Sequence, residues 1–466
     1  MPLHPDRLLP IEPEARAIAR CLYAEVAALP ILSPHGHTDP RWYAEDAAFP
    51  DPAELFVKPD HYVTRMLYSQ GIPLETLGVK RRDGGPVETD GRAIWRLFAK
   101  HFPLFRGTPT RLWFEHALEQ VFGIEERMSE ANADRLYDAI ADALPRPDLR
   151  PRALYKRFNI EAIATTDGAL DDLRHHRELR EAGWDGRVLP TYRPDFTVDP
   201  ERDGFRANVE RLLALAGEPM SWAGYLAAHR TRRAFFRSLG ATATDHGHPT
   251  ARTADLAQTE AAALFDRVVA VAPSVQDAEL FRAQMLTEFA RMSLDDGLVM
   301  QIHPGSVRNH NPAVFARFGT DAGADIPQPT DYVHALKPLL DAVGNDRRLT
   351  VILFTLDEAQ YGRELAPLAG HYPALRLGPP WWFFDSPEGM RRFRELTTET
   401  AGFANTVGFN DDTRAYLSIP ARHDMARRVD CACLARLVAD HRLDENEAHE
   451  LAHDLAYNLA KRAYKL

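Results

Sequence analysis

Eight short apolar runs, each ending on a cluster of polar and chemically capable residues, constrain this chain more than any other feature. The first, Leu29-Pro30-Ile31-Leu32, runs into Ser33-Pro34-His35-Gly36-His37-Thr38-Asp39. The last, Asn405-Thr406-Val407-Gly408-Phe409, runs into Asn410-Asp411-Asp412-Thr413-Arg414. Near-continuous apolar runs mark parallel strands that are covered on both faces. Strands are read near 29–34, 159–165, 187–192, 239–244, 297–303, 349–354, 374–378 and 405–409, the fourth being the weakest. Helical patterns fill most intervals, such as Asp277 to Ser293 and Met390 to Thr398. This alternation, with polar residues delivered from the carboxyl ends, describes an α/β chain folded as a (β/α)8 TIM-type barrel with its site on the top face.

Two intervals are too long for one helix. Residues 38–155 are rich in Trp, Phe, Leu and Arg at helical spacing and predict a helical insertion after strand one, flanking the active site. Residues 1–37 and 156–466 then form the barrel with its additional helices. The stretch from Pro194 to Leu239 adds further helices, and Asp424 to Leu466 reads as the closing ones. Insertions on this side of a barrel can close over its site.

The length of 466 residues suits a barrel with insertions. With 67 acidic against 56 basic residues the net charge is −11, which argues against nucleic acid as a partner. Small acidic substrates stay open, because a few local arginines can hold a carboxylate. Only Cys21, Cys431 and Cys433 are present, too few for a disulfide scaffold and in keeping with a reducing compartment. Cys431-Ala432-Cys433 lies in a helical pattern and reads as structural. No apolar run reaches membrane-spanning length, and the start, Met1-Pro2-Leu3-His4-Pro5-Asp6-Arg7, has no apolar signal region. A cytoplasmic protein without a membrane partner is expected, with a homo-oligomer left open.

His35 and His37 project to one side of an extended chain and can share a divalent cation. Spacing alone is weak, since His246-Gly247-His248 repeats it. Position separates the two pairs: the first follows a strong apolar run. Across the chain, a carboxylate after the eighth run could complete a metal site or act as a base, and spacing does not choose between Asp411 and Asp412. Arg414, two residues on, suits a substrate carboxylate. Other strand ends carry Asp167, Arg193, Asp195, Asp245, His303, Arg308, Trp381 and Trp382. The tryptophans suit a pocket wall or plain packing.

Taken together and in order, several segments resemble the uronate (glucuronate) isomerase family of the amidohydrolase superfamily. They are His35-Gly36-His37, Lys58-Pro59-Asp60-His61-Tyr62 with Arg65, Thr165-Thr166-Asp167, Tyr192-Arg193-Pro194-Asp195, Asp245-His246-Gly247, Gln301-Ile302-His303, Val307-Arg308-Asn309-His310-Asn311, Trp381-Trp382-Phe383 with Asp385 and Gly389-Met390, and Asp412-Thr413-Arg414 with Leu417-Ser418. The resemblance runs from about Leu29 to about Arg428 and implies a barrel that interconverts aldo- and keto-hexuronates. It implies that His35, His37 and Asp412 hold one divalent metal, zinc being the first choice, with His303 near it. It also implies substrate contacts from His61, Tyr62, Arg193 and Arg414, and it selects Asp412 over Asp411. Trp381, Trp382 and Arg308 are added as pocket residues. The expected reaction moves a proton from C2 to C1 through an enediol(ate). Tyr62, Asp412 and His61, in that order, are the candidate carriers, with Arg414 assisting. The alternative is a metal-dependent hydrolase or decarboxylase on the same scaffold. Such enzymes recruit further ligands such as a bridging lysine, and lysine is scarce at these strand ends.

Overall fold

Seven of the apolar runs lie side by side in one parallel sheet. A computed structural model describes residues 3–270 and 273–466. Met1 and Pro2, the first residues of the segment read as lacking a leader, lie outside the described residues. The strands are β1 (Ile31–Ser33), β2 (Ile160–Gly168), β3 (Arg187–Arg193), β4 (Ala243–His246), β5 (Val299–Ile302), β6 (Ser306–Val307), β7 (Ile326–Pro327), β8 (Val351–Leu353) and β9 (Leu375–Leu377). The main sheet has the order β1-β2-β3-β4-β5-β8-β9, and each neighbour pair is parallel. Consecutive strands pairing through helical crossovers is the expected wiring of a parallel sheet.

The eighth run departs from the expected strand. It meets β9 through one parallel bridge, Leu377 with Thr406. Gly408 then turns to φ +73, outside the range of an extended chain, and packs so tightly that a Cβ would lie 2.8 Å from the Leu455 carbonyl. On its far side the run touches the segment after β1: His37 N–H donates to Thr413 O at 3.0 Å and Asp412 N–H to His35 O at 3.3 Å. Two further differences concern the middle of the chain. β4 begins later than expected, because Gly240 (φ +101) follows the helix Trp222–Ser238, and it includes Asp245 and His246. The antiparallel pair β6–β7, after β5, has no apolar run to announce it.

Helices cover the sheet. Val275–Asp296 and Pro387–Ala401 overlap the two helical patterns read from the sequence. Met300, Ile302, Val351, Leu353, Leu375 and Leu377 are buried in one cluster with Phe281, Met285, Phe289 and Phe393 from those helices. Helices Phe205–Ala216 and Trp222–Ser238 fill the long interval after β3, and Ile419–Ala439, Glu445–His453 and Leu459–Tyr464 end the chain. Between β1 and β2 stand helices that include His61–Tyr68, Gly91–His101 and Pro109–Phe122. Their apolar faces meet in a second cluster around Trp95, Phe98, Phe102, Phe105 and Phe114. Burying each such ring is worth about 2–3 kcal/mol, enough to hold these helices on the sheet. Asp60 caps the helix His61–Tyr68 by accepting from Tyr62 N–H at 2.8 Å, which fixes His61 and Tyr62 in its first turn. No helix among the described residues is long and apolar enough to cross a membrane.

Candidate active site

The two ends of the chain meet where the sequence pattern pointed. His35 Nε2 and His37 Nε2 lie 3.4 Å and 3.1 Å from the same oxygen, Asp412 Oδ1. Their rings stand at 85° to each other, so the two nitrogens approach from different directions. Burial would raise the Asp412 carboxyl, but the two imidazoles hold it well below the carboxylate range. Burial pulls His35 down and the Asp412 and Asp245 carboxylates outweigh it, so its pKa ends above the ordinary value. For His37 burial wins and its pKa is lowered. Asp411, the competitor in spacing, faces elsewhere: His423 Nε2 lies 3.1 Å from its Oδ2 and Arg422 donates to its carbonyl at 3.1 Å.

His303, from the end of β5, stacks on His35 with ring centres 4.6 Å apart. Its Nδ1 lies 2.6 Å from Asp245 Oδ1. Arg193 and His303 hold Asp245 well below the carboxylate range against the effect of burial. An ionised carboxylate only accepts, so His303 Nδ1 donates to it. Burial pushes the His303 imidazole down to about 4, against the pull of Asp245. Its Nε2 is then a bare lone pair, and that atom is buried with no hydrogen-bond partner. His35, His303 and Asp412 each offer a ligand atom, all within 4.8 Å of one another. Ligand bonds of about 2.0–2.1 Å at tetrahedral angles put neighbouring ligand atoms about 3.3 Å apart, close to the spacings at Asp412. The donor set and the orphaned His303 Nε2 therefore fit a divalent cation. Asp245 also meets Arg193 Nη1 at 3.1 Å, and Arg193 Nε donates to Asp195 Oδ2 at 2.8 Å. Gly247 leaves room for this guanidinium, since a Cβ there would sit 2.2 Å from Arg193 Nη2.

The remaining predicted residues lie around this cluster. Arg414 Nη2 lies 3.0 Å from Asp321 Oδ1. His61 packs edge-on against Trp382 at 4.2 Å and is kept neutral, its pKa held well below the ordinary value by burial and then by the charge of Arg414. Tyr62 donates its hydroxyl proton to Asp385 Oδ1 at 2.7 Å and accepts from Phe383 N–H at 3.0 Å. Burial, then the Asp385 charge, push its phenol well above the usual range. Trp381 closes on His303 at 4.8 Å, and Trp382 Nε1 donates to Asp325 O at 3.3 Å. Arg308 is tied to Asp325 at 2.6 Å. Asp321, Trp382, Phe383 and Asp412 have φ between +30 and +67. Non-glycine residues pay strain for such backbone, and its concentration here marks loops shaped for position.

Sequence reasoning gave no role to Asp321 or Arg422 and none to Asp385. Arg422 is 2% exposed in its side chain and donates to Asp385 Oδ2 at 2.6 Å. An arginine in a helical pattern reads by default as solvated, and only long-range packing shows this helix to be buried on most sides. His246 and His248 are buried beside Phe289 and Asp195 rather than in this cluster. Cys431 and Cys433 are buried and unpaired.

Asp167 sits apart, in a cavity of about 260 Å³ with Pro40, Asp171, Asp172 and His176. Thr165 Oγ1 donates to Asp167 Oδ2 at 2.7 Å and lies 2.9 Å from His176 Nε2. Burial, opposed by the Thr165 bond, raises the Asp167 carboxyl to about 7. A folded pKa above the unfolded one gives stability that is full below the unfolded carboxyl range and lost as pH rises through about 7. Asp167→Asn is expected to remove a loss of about 3 kcal/mol between roughly pH 5 and 8, read from urea midpoints. An unchanged slope would show that this carboxyl titrates as if solvated.

The profile of the glucuronate isomerase family matches residues 14–464. The uronate isomerase of Brucella canis is 70% identical over 466 residues, covering 100% of both chains. The crystal structure of glucuronate isomerase from Caulobacter crescentus superposes with a TM-score of 0.98 at 60% identity, covering 99% of this chain and 97% of that one. The crystal structure of uronate isomerase from Thermotoga maritima gives 0.92 at 27% identity, covering 100% of both. The chain thus belongs to the glucuronate isomerase family.

Proposed function

We propose that the protein interconverts D-glucuronate with D-fructuronate and D-galacturonate with D-tagaturonate in the cytoplasm. The observation that carries this reading is the meeting of an ionised carboxylate, Asp412, with neutral imidazole nitrogen and two guanidinium groups in one cleft. In the fuller architecture that accompanies it, residues 1–37 and 156–466 form an eight-stranded barrel, its last strand running through 405–409. Residues 38–155 are the insertion that walls the site.

His35, His37 and Asp412, with His303 beside them, would hold one divalent cation, zinc first. Such an ion supplies positive charge that orients an anionic substrate and makes negative charge on its oxygens less costly. The reaction moves a carbonyl from C1 to C2 of the open-chain acid. The C2–H bond breaks and its electron pair forms the C1–C2 double bond while the C1 carbonyl π pair moves onto O1, giving an enediolate. A proton then arrives at C1 as the C2 hydroxyl loses its proton and O1 gains one, leaving the C2 ketone. Arg414 grips the carboxylate, and Arg193 faces the oxygen where charge develops. Asp412 takes the proton and returns it. The order of carriers therefore changes from the sequence reading. The Tyr62 proton is committed to Asp385, so Tyr62 shapes the wall, while neutral His61 is free to bond a substrate hydroxyl. Trp381 and Trp382 line the pocket and exclude water, and Arg308 holds its loop through Asp325.

NMR of the protein with each uronate in D₂O is expected to show ketose formation, with deuterium at C1 to the extent that the carried proton exchanges with solvent. Hydrolysis of lactones or amides with no conversion of either uronate would replace this reading with the hydrolase.

A further inference from the structure

The loop between β6 and β7 brings a carboxylate of the chain itself to the arginine read above as the anion grip. Asp321 lies against Arg414, with His37, His61 and the Arg308 guanidinium nearby. Its charge also acts on Arg193. The contact is one-pronged. Arg414 presents two donors on one edge, Nε and Nη2, and only Nη2 meets Asp321. Nε is buried with no hydrogen-bond partner. A free carboxylate can take both prongs at once, which is the stronger arrangement. Asp321 is 49% exposed in its side chain, so its pair with Arg414 is weak and open to exchange.

The loop is built for such an exchange. Its base is pinned by His310 N–H to Ala324 O at 2.9 Å and by Arg82 N–H to Arg317 O at 2.9 Å. Its tip is Gly319-Thr320-Asp321-Ala322-Gly323, with both glycines at positive φ and Asp321 itself at φ +62. A strained aspartate between two permissive glycines is held in place by the loop and can be released at little cost.

We propose that Asp321 is a built-in stand-in for the substrate carboxylate, holding Arg414 until a uronate displaces it and so setting the affinity for anionic substrates. This rests on the reading that Arg414 binds that carboxylate. The apparent affinity falls by the fraction of time that Arg414 is engaged: a stand-in present four-fifths of the time weakens binding about fivefold.

The test uses Asp321→Asn, which tolerates the left-handed backbone and removes the charge. Two quantities are read: KM for glucuronate, and the inhibition constant of D-gluconate, a sugar acid with no aldehyde to isomerise. Both are expected to fall about three- to fivefold with kcat unchanged within about twofold. A raised KM or a lowered kcat would make Asp321 a support for Arg414 and overturn the proposal, as would unchanged constants. Asp39→Asn removes a charge after β1 without touching Arg414. An equal fall there would reduce the effect to a remote field and also overturn the proposal. Arg414→Ala tests the underlying reading separately. Gluconate inhibition weakened tenfold or more supports that reading, whereas an unchanged inhibition constant removes it whatever Asp321 does.

Discussion

Asp412→Asn is expected to lower kcat/KM for glucuronate by about 10³- to 10⁴-fold while the protein stays folded. The substitution is unusually clean. Asp412 has φ +41, a region that asparagine also tolerates. The backbone bond from Asp412 N–H to His35 O survives, and so does one oxygen facing the imidazoles. What disappears is the negative charge that His35 and His37 stabilise. Zinc retained after loading and dialysis should fall in parallel, because the amide is a poor ligand beside two neutral imidazoles. Far-UV circular dichroism checks the fold. Activity within tenfold of the parent would remove Asp412 from both roles.

The second large effect concerns stability. Arg422→Leu is expected to cost about 3–5 kcal/mol, because it strands the Asp385 carboxylate away from water. Arg422 also donates to Ser418 Oγ at 3.2 Å and lies 3.5 Å over the Trp113 ring, so few other cations can reach the place it leaves. Asp385→Leu alone should cost a similar amount through the orphaned guanidinium. Both changes together should cost clearly less than the sum, because no unpaired charge remains. Urea midpoints of the three variants decide it. Additive losses would mean that water reaches the pair. The single Asp385 change should also release Tyr62, whose hydroxyl would lose its acceptor.

How much of this was written in the sequence depends on the kind of signal. Short runs such as Val351-Ile352-Leu353 and Val299-Met300-Gln301-Ile302 are buried on both faces, so their pattern is dense and their strands were readable. The run at 405–409 is also buried from Thr406 to Phe409 but carries Gly408, whose left-handed turn and contact with Leu455 depend on a distant helix. β6 and β7 are two residues each, and Pro327 hides the second. Within the site, His35, His37 and Asp412 could be named through the family resemblance, since the same histidine spacing recurs in His246-Gly247-His248, which packs elsewhere. Their family resemblance chose between Asp411 and Asp412, and the bond from His423 explains in physical terms where Asp411 faces. Tyr62 shows the opposite case. Its residue type suggested proton transfer, and only the position of Asp385, more than three hundred residues away, reveals where its proton points. Asp321 left no trace, since a single aspartate between glycines is an ordinary turn.

The contact between the segment after β1 and the segment after the eighth run has a consequence for biosynthesis. The two histidines leave the ribosome early, and their aspartate follows only after almost the whole chain has been made, on the order of tens of seconds later at bacterial elongation rates. Until then the nascent protein offers a loose imidazole pair with no anionic partner, a poor trap for any ion. If these residues hold a divalent cation as proposed, its binding would wait for that last contact to close.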